Sequence, residues 1–474
     1  MHILRVPVPD ASPRSLDPSA VGRARWLLLG LFGLNGLMLS SWLARIPAVR
    51  DALGLSTAEL GLVLLTGSLG ALVTISLSGV LVTRYGGRVG LLLSTAGFAL
   101  AFTLIGLGAA LGLVQLLAAG IFLNGVSFAL GNVPLNVETA AVERRMRRTV
   151  LPQFHAAFSI GAVAGSLLGA GAARLGVPLV VQFTATAAIG TVWRLLSIRG
   201  AVLEPRAVPV APLLATEGTG GLANGGATGG AGGRVAGHGP VPRVPSALGA
   251  WRERRTLLIG VVIMSAALTE GSASDWLSLA VVDGFERPEA VGAAVFGVFV
   301  ASMTGVRLLG TRLIDRWGRV TVLRASGAVS FVGLLVFGLA PRLEVAVVGV
   351  VAWGLGAALA VPIGIAAASD DPVRAAGRVS VVSAFASVAA LAAPPLLGLV
   401  AGYVGARHAL LLITVAMVVS VSVARVVARP REPDRRAPVA TVGASTALPV
   451  QPARPASFES TCPSPVLSEK VAAC

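Results

Sequence analysis

Apolar residues run along this chain in blocks of roughly 20, long enough to cross about 30 Å of hydrocarbon as helices. Short stretches rich in Arg, Gly and Pro separate them. The pattern predicts twelve spanning helices near 25–44, 58–82, 89–110, 113–137, 153–173, 177–197, 256–280, 291–312, 320–340, 343–367, 376–402 and 405–427. The first block is too long for a signal-peptide core and has no convincing cleavage site, so it reads as an uncleaved span.

The pattern is said twice. Arg84 and Gly86 close one block, and Arg316 and Gly318 close another 232 residues later. A Pro-interrupted block around Pro134 recurs around Pro362, 228 residues later. Duplicated membrane halves are an architecture of secondary transporters. The expected fold is therefore an all-α membrane protein of twelve transmembrane helices in two six-helix, pseudo-symmetric halves. Residues 1–24 form an N-terminal segment, 25–198 and 256–428 the two bundles, 199–255 a Gly/Ala-rich linker and 429–474 a disordered tail rich in Pro, Arg and Ser.

Composition agrees: 55% of the 474 residues are hydrophobic and 13% charged. The net charge of +16 would suggest nucleic acid in a soluble protein. Here the arginines cluster in alternate loops, where they orient a membrane protein. Arg84 and Arg88, Arg144 to Arg148, Arg312 to Arg319, and Arg374 and Arg378 share one side, with Arg45 and Arg50 as the exception. The positive-inside rule puts both termini and the linker in the cytoplasm of a cell-membrane protein. The sole lysine, Lys470, excludes a P-loop, and two tail cysteines offer no disulfide framework. No enzyme, cofactor or metal site is expected; the partners are a small solute, protons and lipid, with no nucleic acid, and the chain is read as a monomer.

Polar residues inside spans are costly and carry the functional expectations. In the fourth span Asn132, Asn136, Thr139 and Glu143 fall on one helical face, beside Pro134, and either line a cavity or hydrogen-bond neighbouring helices. Glu143 adjoins an arginine cluster and is either a proton carrier or a solvated ion-pair partner. In the fifth, His155 and Ser159 lie one turn apart, either as substrate or proton contacts or as structural partners. Gly161, Gly165 and Gly169 mark a packing face. In the seventh, the run from Glu270 to Trp276 suggests a local break lining a cavity. Glu270 is the leading candidate for proton coupling or substrate binding, or else a fixed partner of an arginine such as Arg307. Asp275 is either a gate or solvated. Asn35 and Trp353 sit mid-span in the first and tenth.

The two-half pattern, the long central loop and the loop Asp315-Arg316-Trp317-Gly318-Arg319 resemble the major facilitator superfamily, whose signature is roughly Gly-x-x-x-Asp-Arg-x-Gly-Arg. The first half keeps Gly79, Arg84 and Gly86 but has Thr83 where Asp is usual. Residues Asn136 through Arg144, Phe154 through Ser159, Glu270-Gly271 and Asp275-Trp276 further resemble the fucose-permease-related sugar transporters, in which Asp would be expected at Asn132. The resemblance implies that spans one, four, seven and ten line a central cavity. Asn35, Asn132, Asn136, His155, Ser159, Glu270 and Trp353 would then bind the solute. Glu270, His155 and Glu143 would handle protons, and Arg84, Asp315, Arg316, Gly318 and Arg319 would gate. The function so implied is proton-coupled alternating-access transport of a sugar or related compound. Proton-driven drug efflux and a non-transporting sensor or scaffold are the alternatives.

Overall fold

The computed structural model describes residues 18–147, 150–203, 247–371 and 374–428. Residues 1–17 of the expected N-terminal segment, the tail and most of the linker lie outside these, while residues 18–24 begin the first helix. Eleven helices in the described residues are long and apolar enough to cross a membrane. One of them, Glu289–Leu339, is two spans, because its backbone leaves helical geometry at Gly318. The spans are α1 (Pro18–Leu43), α2 (Thr57–Tyr85), α3 (Gly87–Leu111), α4 (Val114–Met146), α5 (Leu151–Arg174), α6 (Leu179–Ala201) and α7 (Arg254–Phe285). They continue as α8 (289–317), α9 (319–339), α10 (Leu343–Ala357 with Ala360–Ala368), α11 (Ala375–Val404) and α12 (Ala406–Val427). Twelve crossings return the chain to the face it started from. That face is called the terminal face below, and the opposite one the far face.

The duplication is visible in backbone angles. Gly86 has φ 87° and ψ 159°, and Gly318, at the matching turn, has φ 75° and ψ 158°. This region is open essentially to glycine alone, so one residue can reverse the chain between spans without a longer loop. Other ends follow local rules. At the start of α2, Ser56 and Glu59 form a reciprocal capping box, and Gly54 ends the connecting helix Ile46–Leu53 in the left-handed region.

Helix α10 breaks at Ala358–Leu359, just before Pro362. A proline has no N–H for the carbonyl four residues back, here that of Ala358. Arg307 of α8 supplies the missing donor, its Nε lying 3.2 Å from the Ala358 oxygen. By contrast α7 stays helical across Glu270–Trp276, where the small polar run suggested a break. Ser274 returns its hydroxyl to the Glu270 carbonyl at 3.0 Å, a bond made within the helix that does not require it to unwind. Helix α4 continues past the expected 137 to Met146, since a helix need not end where the membrane does.

Within the first half α1 packs on α5 through the predicted glycines. A Cβ on Gly161 would meet the Gly33 carbonyl oxygen at 1.8 Å, and one on Gly165 the Leu37 oxygen at 2.2 Å. The halves meet along α2–α11 and α5–α8. These seams are tight toward the far face: a Cβ on Gly61 would meet the Pro394 oxygen at 2.4 Å, and one on Gly297 the Ser166 hydroxyl at 2.6 Å.

Candidate functional site

A cavity of about 230 Å³ lies between the two halves, walled by α1, α2, α4, α5, α7, α8 and α11, with Val361 of α10. Most of its wall is apolar or aromatic, including Trp42, Phe128, Phe158 and Phe299. Its polar groups are few: Ser40, Ser68, Asn124, Ser274 and two carboxylates, Glu270 and Asp275.

Glu270 is 6% exposed. Its Oε2 accepts from Arg307 Nη2 at 2.9 Å, while its Oε1 is buried without a partner. Glu270 therefore lines the cavity and is paired with Arg307. Arg307 is also within electrostatic reach of His155 on α5, across the seam between the halves. Asp275, further along α7, also lines the cavity and is half-buried there.

The other nominated residues are not among those lining the cavity. Asn35 turns to α6, where its Oδ1 accepts from Arg194. Arg194 is 2% exposed and lies 4.4 Å over the Phe98 ring, so amide and guanidinium tie α1, α3 and α6 together. Asn136 Nδ2 donates to Asn132 Oδ1 at 3.2 Å, so the two amides do share one face of α4. His155 sets its ring edge-on to Phe32, with centroids 5.6 Å apart, and Ser159 is buried on the same helix. Trp353 is fully buried, edge-on to Phe299 at 5.1 Å and beside Phe337. The expected convergence of amides, carboxylate and indoles is thus replaced by two carboxylates, one amide and an aromatic wall. The spans carry enough polar residues for either arrangement, and helix rotation within the bundle selects one.

Glu143 Oε2 accepts from the Val150 backbone N–H at 2.8 Å, closing the turn between α4 and α5. Glu138 is 1% exposed and accepts from Leu203 N at 2.8 Å, tying α4 to the end of α6.

The predicted gating loops lie at the terminal face. Asp315 and Arg316 are exposed, Arg316 over the Trp317 ring and Arg84 over the Tyr85 ring. Arg319 pairs with Asp370 of its own half at 2.6 Å. Two ion pairs cross between the halves at the far face. Arg45 Nε donates to Glu289 at 2.6 Å and its Nη1 to Gln182 at 2.5 Å, while Arg50 grips both oxygens of Asp283. These are the two arginines that broke the charge asymmetry. Their commitment to acidic partners explains the exception, and the pairing of loop charge across distant spans is invisible to a linear reading.

Twelve helices in two like halves, closing on a central cavity, define a transporter architecture. The chain matches the model of the Major Facilitator Superfamily over residues 26–380 and again over 312–467, and it belongs to that family. It is 29% identical over 376 residues to an uncharacterised transporter, y4wD, of Sinorhizobium fredii, covering 78% of this chain and 89% of that one. It is 27% identical over 383 residues to the membrane protein MosC of Rhizobium meliloti, covering 81% and 84%. Among solved structures it resembles the transporter FucP in the outward conformation, with TM-score 0.57, 15% identity and coverage of 85% and 98%. It also resembles the nucleoside transporter NupG, with TM-score 0.62, 13% identity and coverage of 85% and 98%. The chain is a multi-pass membrane protein whose family and fold are those of secondary transport, and it is not an enzyme.

Proposed function

We propose that this chain moves a small polar solute, a sugar or related compound, by alternating access, with Glu270 coupling the movement to protons. The carrying observation is the cavity between the halves, with one carboxylate–guanidinium contact, Glu270–Arg307, in its wall region. A carboxylate whose partner can be released on protonation is suited to link proton binding to the rocking of one half on the other. His155, near Arg307 on the opposite half, is a second group through which that change would be felt. A cavity of about 230 Å³ lies below the roughly 300–1,000 Å³ of drug-sized sites, which favours a small solute over a bulky lipophilic drug.

The terminal face is read as cytoplasmic of the cell membrane, from the arginines gathered there. The far-face ion pairs then make this an inward-facing conformer. The test is reconstitution in liposomes with internal pH recorded while sugars, then cationic drugs, are added. Sugar-dependent inward proton movement supports symport; proton movement with drugs alone transfers the site to efflux. Glu270→Gln is expected to abolish proton-driven accumulation and leave solute exchange partly intact. Unchanged accumulation in that variant removes Glu270 from coupling.

A further inference from the structure

The cavity carries a charge imbalance that a neutral sugar leaves uncorrected. Two carboxylates face it, and among the described residues that line it none is cationic. Arg307 answers Glu270 through Oε2 only; Oε1 remains buried and unpartnered. Asp275 has no charged partner and no hydrogen-bond donor among the described residues, and it stands half-buried in the cavity wall. An unpaired carboxylate in an apolar wall within a membrane is a large cost, so such a residue is expected to have a partner in the working protein. The walls nearest in character to a binding site are aromatic, with Trp42 and Phe128 among them. Aromatic faces attract cations as well as ring bodies.

Resting on the transport reading, we propose that the solute is a small organic amine, its ammonium held by Asp275 and its body by the aromatic wall. Glu270 Oε1, Asn124 and Ser40 remain to receive further N–H or O–H groups. Glucosamine, a hydroxylated ring bearing one amine, is a solute of this class.

The test is thermal unfolding of the purified full-length protein at neutral pH. Two matched pairs are added: glucosamine with glucose, and phenethylamine with 2-phenylethanol. At least one amine is expected to raise the unfolding temperature while its neutral partner does not. Asp275→Asn is expected to weaken that amine by roughly tenfold or more, as removal of a buried charge partner does. Should the variant fold poorly, carbodiimide labelling of Asp275 in the unaltered protein replaces it: the amine should protect and its neutral partner should not. Stabilisation shared equally with the neutral partner, retained affinity in Asp275→Asn, equal protection from labelling, or no response to any of the four probes overturns the proposal. Glucose counterflow in liposomes separates the two readings. Counterflow of glucose without amine binding sinks the amine assignment and keeps transport; amine binding without counterflow of either compound sinks transport alone.

Discussion

The two faces of the molecule use the same chemistry to opposite effect. At the far face Arg45 and Arg50 of the first half reach Glu289 and Asp283 of the second. At the terminal face Asp370 accepts from Arg319 at 2.6 Å and Arg255 at 2.8 Å, and Glu253 from Arg378 at 2.7 Å and Arg374 at 3.2 Å, all within the second half. A pair inside one rigid half is untouched when the halves rock. A pair between halves must break, and so sets which face is closed.

The sharpest way to break this contrast is Arg45→Ala, which strands Gln182 and Glu289 together. With Arg45 almost buried and Glu289 partly exposed, the loss is about 2–4 kcal/mol, below the full cost of a wholly buried pair. The check is the alkylation rate of Ser278→Cys in a background lacking Cys462 and Cys474. Ser278 faces the Ala44 carbonyl across the far seam at 3.4 Å. The rate should rise several-fold; an unchanged rate would mean that packing, not charge, closes this face.

Next come the two duplicated turns, both at the terminal face. Gly86→Ala and Gly318→Ala each force a Cβ into a region reserved for glycine and should each cost about 1–3 kcal/mol in thermal stability. Similar losses would show that the turns are energetically as well as geometrically equivalent. A large imbalance would show that the halves have diverged in how they bear strain.

The smallest effect belongs to Glu253, just before α7 begins. The Arg378 hydrogen bond holds its carboxyl below the ordinary value, outweighing a desolvation effect that pushes it up. A depressed folded value means that the contribution is complete above the ordinary 4.5 and is lost as pH falls below it. Glu253→Gln should remove that segment of acid sensitivity, at a cost of about 1 kcal/mol or less at neutral pH. Because the network is internal to one half, Ser278→Cys alkylation should not change. A change there would couple the two faces and undo the contrast.

How much was legible differs from residue to residue. The shared face of Asn132 and Asn136 on α4 and the close glycine packing of α5 follow from local spacing. Asn35 and Trp353 did not carry over to the cavity wall. Their depth was readable, but a polar or aromatic side chain at mid-span satisfies itself against whichever neighbour the bundle turns toward it. For Asn35 that neighbour is Arg194, 159 positions away in sequence.

By itself, then, the sequence determined the number of spans, their duplication, the breaks at Gly318 and before Pro362, and the family. Each rests on hydrocarbon thickness or on backbone rules that act within a few residues. Only the tertiary structure decided that Glu270 is held by Arg307, that Asp275 faces the cavity, and that the arginines of the first loop bind the second half. Those depend on helix rotation and on contacts between distant segments, which packing selects and linear spacing does not encode.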